Sequence, residues 1–390
     1  MKTIVDYIQQ DQRTFKESCF TPLDSLVFST LAYCNFECSS LLEICSSEHV
    51  LLHDVMALSD HGVLTSGSWL EDSDLTPSFY QAVMASRRLR DVHIAFFVHE
   101  TSDTVEKQFS ALSFFLPDET IYCAFRGTDG SFAGWKEDFN LCFKDVIPSQ
   151  VAALRYVSGI ASSSTFPLIL GGHSKGGNLA EYAALCAEEC IYSRIITVYN
   201  HDGPSFLDSP SPRIDQESFQ AKLHKSVPAT SIIGLFLEQR PEYGIVESNA
   251  LPVFSHSPFT WAIEGNDFVY EDQLKKSTAI FDKTLNDWLQ NVSSDQRERF
   301  IDTMYELFIS TNASSWSEFQ TNLFKNMGRM LFQGNRLDSD TKKLVLHTFS
   351  QAFLVFKNAT TQNLLPSPNE KIPLRKERYR SKKANSFPSP

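Results

Sequence analysis

Gly172-His173-Ser174-Lys175-Gly176 lies between a short apolar run at 167–170 and an Ala/Leu-rich helical pattern at 178–190. This order predicts a strand, a sharp turn and a helix, with the serine at the turn. The G-x-S-x-G pattern at such a turn is typical of a nucleophile elbow, in which the serine hydroxyl is raised above the sheet edge. Glycines two residues before and after the serine are needed because a Cβ atom there would collide with neighbouring backbone. The helix N-terminus beyond the turn adds positive potential where an oxyanion would form.

Strand and helix patterns alternate on both sides of this elbow. Strands are predicted at 93–98, 107–115, 121–125, 167–171, 194–199 and 230–236. Turn residues separate the first three, which predicts an antiparallel meander. Helices are predicted before the last three strands, at 149–161, 178–190 and around 215–225. Such alternation predicts an α/β protein with a mainly parallel central sheet flanked by helices. Together with the elbow it favours the α/β-hydrolase fold, with helical additions at the N- and C-terminal ends.

Changes in the helix and strand pattern and in charge divide the chain into three predicted parts. Residues 1–275 combine N-terminal helical patterns with the alternating segment and are predicted to form the hydrolase domain. Residues 276–365 are helical in pattern only, and Ser293 with Gln296 predicts a capping box there. Residues 366–390 carry seven Lys or Arg against two Glu, which predicts a disordered basic tail. Such a tail is either a solvated terminus without a partner or a weak contact for an anionic membrane surface or RNA.

Composition limits the classes of function. The chain has 390 residues, a formal net charge of -12 and 42% hydrophobic residues, so we expect a globular protein whose main body does not bind nucleic acid. None of the eight cysteines forms a C-x-x-C pair, and we expect neither a disulfide framework nor a zinc site. The polar N-terminus lacks a signal-peptide core, and no apolar run reaches the length of a membrane span. These features favour a cytoplasmic location.

A serine nucleophile needs a base within hydrogen-bond reach and an acid that orients the base. In α/β-hydrolases the three residues follow one another in the order Ser, Asp or Glu, His. Asp202 lies shortly after the predicted strand 194–199 that follows Ser174, at the sheet edge where such sites form. It is our candidate acid, although an Asp before Gly-Pro is also a common turn residue. Glu238 and Glu242, after the next strand, are the alternatives.

The base must be a histidine after the acid. His256 lies in a predicted loop after the last plausible strand, and such loops often carry catalytic residues. His224 and His347 lie in helical patterns and are predicted to be structural. His201 is a weaker alternative because it directly precedes the candidate acid, and His173 is expected to pack beside the turn. We therefore take His256 as the candidate base.

The oxyanion hole needs two backbone N–H donors. One is expected from Lys175, directly after the nucleophile. The other is expected from Thr128, because 125–129 ends an apolar strand with a flexible glycine. Arg126 and Asp138 are predicted to form a structural ion pair that braces this loop. Neither a metal nor a cofactor is required by this set of residues.

These motifs resemble class 3 lipases of fungi and plants. Phe125-Arg126-Gly127-Thr128, followed by Trp135 and Asp138, is similar to the F-R-G-[ST]…W…D stretch of that family. The resemblance implies an oxyanion role for Thr128. The elbow is similar to the family's G-H-S-x-G-G pattern, with lysine at 175 in place of the more usual leucine.

Residues 1–270 also resemble an uncharacterised bacterial family related to these lipases, known as a domain of unknown function. The blocks G-W-K-E-D-F-N at 134–140 and G-H-S-K-G-G-N-L-A at 172–180 carry this resemblance without gaps. The acid and histidine motifs are less distinctive, and the C-terminal helical segment lies outside the resemblance.

The sequence therefore predicts a serine hydrolase that cleaves a carboxylic ester through Ser174, Asp202 and His256. The substrate is expected to be a small acyl ester or a lipid, and the 31 phenylalanines suggest an acyl pocket. Two alternatives keep the fold without the chemistry: an inactive binding or scaffold protein, and a membrane-associated regulator that docks through its tail. The choice among lipase, carboxylesterase, thioesterase and acyltransferase stays open, as does the oligomeric state.

Overall fold

A computed structural model describes residues 1–38, 49–71, 73–102, 104–129, 132–141, 143–251, 254–291 and 293–309. The helices are α1 (Ile4–Gln10), α2 (Pro22–Leu31), α3 (Leu52–Leu58), α4 (His61–Thr65), α5 (Thr76–Ala85), α6 (Phe132–Asn140), α7 (Pro148–Ser163), α8 (Lys175–Cys186), α9 (Glu189–Tyr192), α10 (Glu217–Gln220), α11 (Lys276–Asn291) and α12 (Ser294–Ile309). The strands are β1 (Val50–Leu51), β2 (His93–Ser102), β3 (Lys107–Phe115), β4 (Ile121–Phe125), β5 (Leu168–His173), β6 (Ile195–His201), β7 (Leu223–Pro228), β8 (Gly244–Val246), β9 (Ile263–Glu264), β10 (Asp267–Phe268) and β11 (Tyr270–Glu271). The predicted last helix, the basic tail and His347 lie outside the described residues.

Nine of the described strands form one sheet in the order β1-β2-β3-β4-β5-β6-β7-β8-β11. Strands β2, β3 and β4 form the predicted antiparallel meander. Strands β4 to β8 are parallel. Parallel strands end at one edge of a sheet, so the segments after β4, β5 and β6 leave it side by side. This mixed sheet, with parallel strands at its centre and helices on both faces, is an α/β-hydrolase fold, as predicted.

The two faces of the sheet are covered by different parts of the chain. Strand side chains alternate between the faces, so Leu168 and Leu170 pack against α7 and α8, whereas Ile169 joins the opposite core. Right-handed crossovers between strands in sequential order place their connecting helices on one face. The opposite face is buried by residues of α1, α2, α3 and α5, with Phe28 and Leu26 fully inaccessible. The N-terminal helices therefore complete the core.

Two predictions between residues 215 and 236 are wrong. The helix expected around 215–225 is only the short α10, and Leu223 begins strand β7. The strand expected at 230–236 is instead a series of turns. The polar residues that suggested a helix include Lys225. It lies instead in β7, where its ammonium is buried and pairs with Glu238 at 2.5 Å. That contact is tertiary, so the local pattern does not indicate it.

The described part of the C-terminal region is helical, as expected. Ser293 and Gln296 form the predicted capping box: the Gln296 side chain accepts from the Ser293 N–H at 3.0 Å, and the Ser293 hydroxyl accepts from the Gln296 N–H at 3.3 Å. Among the described helices, none combines the length and apolar character that crossing a membrane requires.

Candidate active site

Ser174 occupies the turn between β5 and α8. Its backbone has φ 59° and ψ −136°, a left-handed value that is unusual for a residue with a side chain and that marks a strained turn. The Ser174 N–H donates to the His201 carbonyl at 2.9 Å, and the Ser174 carbonyl accepts from the Gly177 N–H at 2.9 Å. Both ends of the turn are therefore anchored. The serine is 8% exposed, consistent with a hydroxyl at the floor of a site rather than on an open surface.

The glycines around Ser174 are required by the close approach of backbone. A Cβ atom at Gly172 would lie 2.3 Å from the Gly176 carbonyl carbon, and one at Gly176 would lie 2.0 Å from the Phe125 carbonyl oxygen. Such distances are far inside contact range, so side chains at these positions would force the turn apart. The predicted reason for both glycines is confirmed.

The structure joins the candidate acid to the candidate base. His256 lies in a short 3-10 helix, Phe254–His256, and its Nδ1 is 2.6 Å from the Asp202 Oδ2. Because an ionised carboxylate can only accept, the proton of this bond lies on Nδ1, which leaves Nε2 free to act as a base. Asp202 is fully buried, and the His256 side chain is 27% exposed.

Asp202 is held by contacts on its other oxygen. Its Oδ1 accepts from the Ser231 hydroxyl at 2.5 Å and from the Gly234 N–H at 3.1 Å. Its backbone has φ 54°, which turns the carboxylate away from the strand direction of β6. The turns at 230–236 thus supply donors to the candidate acid. No local pattern predicted the contribution of Ser231.

His173, directly before the serine, links the histidine segment to α2. Its ring lies 4.5 Å from the His256 ring, and its Nε2 donates to the His256 carbonyl at 2.7 Å. Burial, reinforced by the charge of His256, holds the pKa of His173 well below its usual range. The neutral ring then accepts at Nδ1 from the Tyr33 hydroxyl, 3.0 Å away. His256 is thereby docked beside the elbow through its main chain.

The alternative bases His201 and His224 make contacts away from the serine. His201 is fully buried, contacts the Ser25 hydroxyl at 2.8 Å, and has its pKa lowered to about 3 by burial. His224 lies in β7 with its ring 5.3 Å from Tyr199, so its predicted helical setting is wrong.

The alternative acid Glu238 belongs to a separate buried ionic cluster. Its carboxylate contacts Lys225 at 2.5 Å and the Arg240 Nε at 2.9 Å. Those two cations lower the pKa of Glu238 to about 2 despite its burial. Arg240 also pairs with Glu181 at 2.9 Å. Glu242, the other alternative, is partly exposed. The contact with His256 is made by Asp202.

The segment after β4 lies directly against the elbow. A Cβ atom at Gly127 would lie 2.9 Å from the Ser174 Cβ and 2.7 Å from the His173 carbonyl oxygen. It would also lie 2.1 Å from the Tyr33 hydroxyl oxygen, which accepts a hydrogen bond from the Gly127 backbone. Only glycine fits here, and the next residue, Thr128, is therefore close to the serine.

Thr128 and Lys175, the predicted oxyanion donors, are each held through their side chains. The Thr128 hydroxyl donates to the Asp138 Oδ2 at 2.5 Å. The Lys175 ammonium is buried and pairs with Glu137 at 2.9 Å, with the Asp138 Oδ1 3.7 Å away. Burial raises the pKa of Asp138 to about 6, against the opposing effect of the Lys175 charge.

The predicted ion pair between Arg126 and Asp138 is wrong. The Arg126 guanidinium lies 3.8 Å from Asp129 and 3.2 Å from the His99 Nε2. Its partners lie in β2 and in the loop directly after β4, whereas Asp138 of α6 accepts from the Thr128 hydroxyl. Both residues still lie beside the loop that they were expected to brace.

This arrangement combines a strained serine, an oriented imidazole and backbone N–H groups close to one turn. As the first residue of α8, Lys175 has an N–H that lacks a partner within the helix. Among the described residues, no group of three or more His, Cys, Asp or Glu side chains is arranged to hold a metal ion. Tyr33 and Glu137 were not identified from the sequence. Glu137 had a usable signal, since a lysine after the serine needs a buried anion; Tyr33 had none.

The chain was compared with curated proteins and with solved structures. No curated protein matches the chain. Three similar solved structures are lipases of low identity. Lipase II from Rhizopus niveus is 16% identical, with 58% of this chain and 78% of that chain covered and a TM-score of 0.35. M37 lipase is 13% identical, with 56% and 70% covered and a TM-score of 0.36. Rhizomucor miehei lipase, in a propeptide complex, is 15% identical, with 63% and 81% covered and a TM-score of 0.34.

The family assignment comes from the sequence. The model of the Mbeg1-like family matches residues 83–306, which include the elbow, the segment after β4 and the histidine segment. This confirms the resemblance to a lipase-like family of unknown function. Because the match spans more than half of the 390 residues, the chain belongs to the Mbeg1-like family.

Proposed function

We propose that this protein is a serine hydrolase that cleaves carboxylic esters through Ser174, His256 and Asp202. The observation that carries the proposal is the 2.6 Å hydrogen bond between Asp202 and His256, with the His256 ring centre 4.5 Å from that of His173, the residue before the strained serine. A buried carboxylate bonded to Nδ1 is the arrangement that orients an imidazole as a general base.

In the proposed reaction, Ser174 Oγ attacks the ester carbonyl carbon while its proton moves to His256 Nε2. The resulting oxyanion is bound by the N–H groups of Lys175 and Thr128. The imidazolium then gives its proton to the leaving alkoxide as the C–O bond breaks, which leaves an acyl-enzyme. Water, deprotonated by His256, releases the acid and restores the serine. Asp202 stays ionised and stabilises the imidazolium throughout.

The substrate class in this proposal is a small acyl ester or a lipid. Most of the described phenylalanines pack in the two hydrophobic cores, among them Phe28, Phe114 and Phe125. The number of phenylalanines in the sequence therefore does not by itself define a large acyl pocket. A panel of p-nitrophenyl esters of increasing chain length tests the lipid part. A strict preference for acetyl would exclude it while leaving the esterase chemistry intact.

The decisive experiment is labelling with a fluorophosphonate probe. We expect the wild-type chain to be labelled and the Ser174→Ala variant to give no signal, because the probe reacts only with an activated serine. Ser113→Ala is the control: Ser113 is also a buried serine, and it bonds the Tyr156 hydroxyl at 2.7 Å, away from the elbow. It should be labelled like the wild type. A folded wild-type chain that resists the probe would favour an inactive binding or regulatory protein instead.

A further inference from the structure

Glu137 is a fully buried carboxylate that connects four elements of the fold. From α6 it accepts from the Gln108 N–H of β3 at 2.9 Å and from the Ser149 N–H of α7 at 3.0 Å. It also accepts from the Ser149 hydroxyl at 2.8 Å and from the Lys175 ammonium of α8 at 2.9 Å. Both of its oxygens are therefore satisfied, as a buried charge requires.

Lys175 connects this carboxylate to the elbow. Its ammonium donates to Glu137 and, at 3.0 Å, to the Gln108 carbonyl, so the whole side chain is immobilised away from solvent. Its backbone N–H is the first of α8, directly after Ser174. A residue fixed at the end of its side chain loses freedom at its main chain as well, so the position of this N–H depends on α6 and β3.

The neighbouring acid, Asp138, holds the other proposed donor. Its Oδ2 accepts from the Thr128 hydroxyl at 2.5 Å. Consecutive side chains on a helix point about 100° apart, so these two acids reach two different partners from one turn. One helix thus contacts both Thr128 and Lys175, the two residues proposed to supply the oxyanion donors.

We propose that Glu137, through its buried ion pair with Lys175, is a positioning residue that acts together with Asp138 to set the separation of the two oxyanion donors. This inference rests on the proposed esterase function. Oxyanion holes depend on donors that are held in place before the reaction, so a small displacement of either donor weakens catalysis. A buried ion pair adds little stability over an apolar pair of similar volume, so stability alone does not explain the pair.

The variant that tests this idea must keep the fold. Lys175→Met alone would leave Glu137 buried and uncompensated, which is strongly destabilising. The double variant Glu137→Gln/Lys175→Met removes both charges at similar volume. As a matched control, Asp24→Asn/Arg88→Met removes both charges of another buried pair, in which Arg88 contacts Asp24 at 2.7 Å among the N-terminal helices. That pair touches none of the proposed site residues.

Two measurements report on hydrogen bonding in the proposed oxyanion hole. The first is the rate constant for fluorophosphonate labelling of Ser174. The second is the ratio of kcat for p-nitrophenyl butyrate to kcat for its thiono analogue, in which sulfur replaces the carbonyl oxygen and accepts hydrogen bonds poorly. We expect the double variant to be labelled about ten- to a hundredfold more slowly, with a ratio reduced in proportion and KM changed less than about twofold. The Asp24→Asn/Arg88→Met control should leave labelling and the ratio unchanged.

The outcomes separate the two proposals. A double variant with the labelling rate and the kcat ratio of the wild type would overturn the positioning role and leave the esterase proposal standing. A folded wild-type chain that is neither labelled nor active on the esters would overturn both. Reduced labelling with an unchanged ratio would also overturn the positioning role, because the defect would then lie outside the oxyanion hole.

Discussion

On one side of Ser174, each oxygen of the Asp202 carboxylate has a hydrogen-bond donor: His256 on Oδ2, and Ser231 with Gly234 on Oδ1. On the other side, the Asp138 Oδ2 accepts from Thr128, whereas its Oδ1 is buried without a hydrogen-bond partner among the described residues, with the Lys175 ammonium 3.7 Å away. We call these the acid side and the oxyanion side. Donors on both oxygens favour the charged form of a carboxylate, and burial without them favours the neutral form.

The carboxylates of Asp202 and Asp138 therefore serve different purposes on the two sides of Ser174. The carboxylate on the acid side has a donor on each oxygen, an arrangement suited to the partner of an imidazolium. On the oxyanion side Glu137 accepts four hydrogen bonds, whereas burial raises the pKa of Asp138 beside it to about 6. The acid side should therefore respond most to a change of residue, and the oxyanion side most to a change of pH.

The largest effect is expected from Asp202→Asn. The amide would no longer hold the proton on His256 Nδ1, so we expect a loss of about 10³- to 10⁴-fold in the rate constant for fluorophosphonate labelling. Glu238→Gln is the matched control, because it neutralises another buried carboxylate after the neighbouring strand β7. It should change labelling less than about tenfold while lowering the melting temperature. Equal losses for the two variants would contradict the assignment of the acid.

The second-largest effect is expected in the pH dependence of the free energy of unfolding, through Asp138 on the oxyanion side. The pKa of Asp138 is raised from 3.8 to about 6, so between these values the folded chain keeps a proton that the unfolded chain releases. Stability contributed by this group is present at low pH and is lost as the pH rises through this window. We expect the free energy of unfolding of the wild type, relative to Asp138→Asn, to fall between about pH 4 and 6. Denaturant titrations of both proteins at several pH values measure it, and parallel curves would contradict it.

The smallest effect is expected from Tyr33→Phe. The hydroxyl joins His173 to the Gly127 backbone, so its removal should loosen the oxyanion side and slow labelling by about three- to tenfold. The expected cost in stability is about 1 kcal/mol. Tyr122→Phe removes a similarly buried hydroxyl, bonded to Ser25 and Ser29 at 2.8 Å each. That control should cost similar stability without slowing labelling, and matching rates for the two variants would count against a role for Tyr33.

The parts of this molecule that the sequence predicts well are those with strong local signals. The meander and the elbow combine alternating apolar residues with obligatory glycines, and the strands and turn appear close to where the pattern places them. The pairing of Asp202 with His256 followed from chain order and strand ends. Their catalytic roles, with that of Ser174, stay predictions.

The parts that were missed depend on contacts between distant segments. Lys225 looks unsuitable for a buried strand until Glu238 neutralises it. Ser231 and Gly234 lie in an apolar run that resembles a strand, and they are turned toward Asp202 by the fold. Tyr33 precedes its partner His173 by 140 residues. In each case the deciding interaction is made only after the sheet has assembled.

The packed unit of this protein begins before the range of the family match, at the N-terminal helices. The family match starts at residue 83, yet residues of α1, α2 and α3 form a large part of the core on one face of the sheet, and Tyr33 follows α2 closely. A chain shortened to the matched range would leave aromatic side chains such as Tyr122 and Tyr199 in water, a surface prone to aggregation. The range of the family match and the packed unit of the fold therefore have different boundaries.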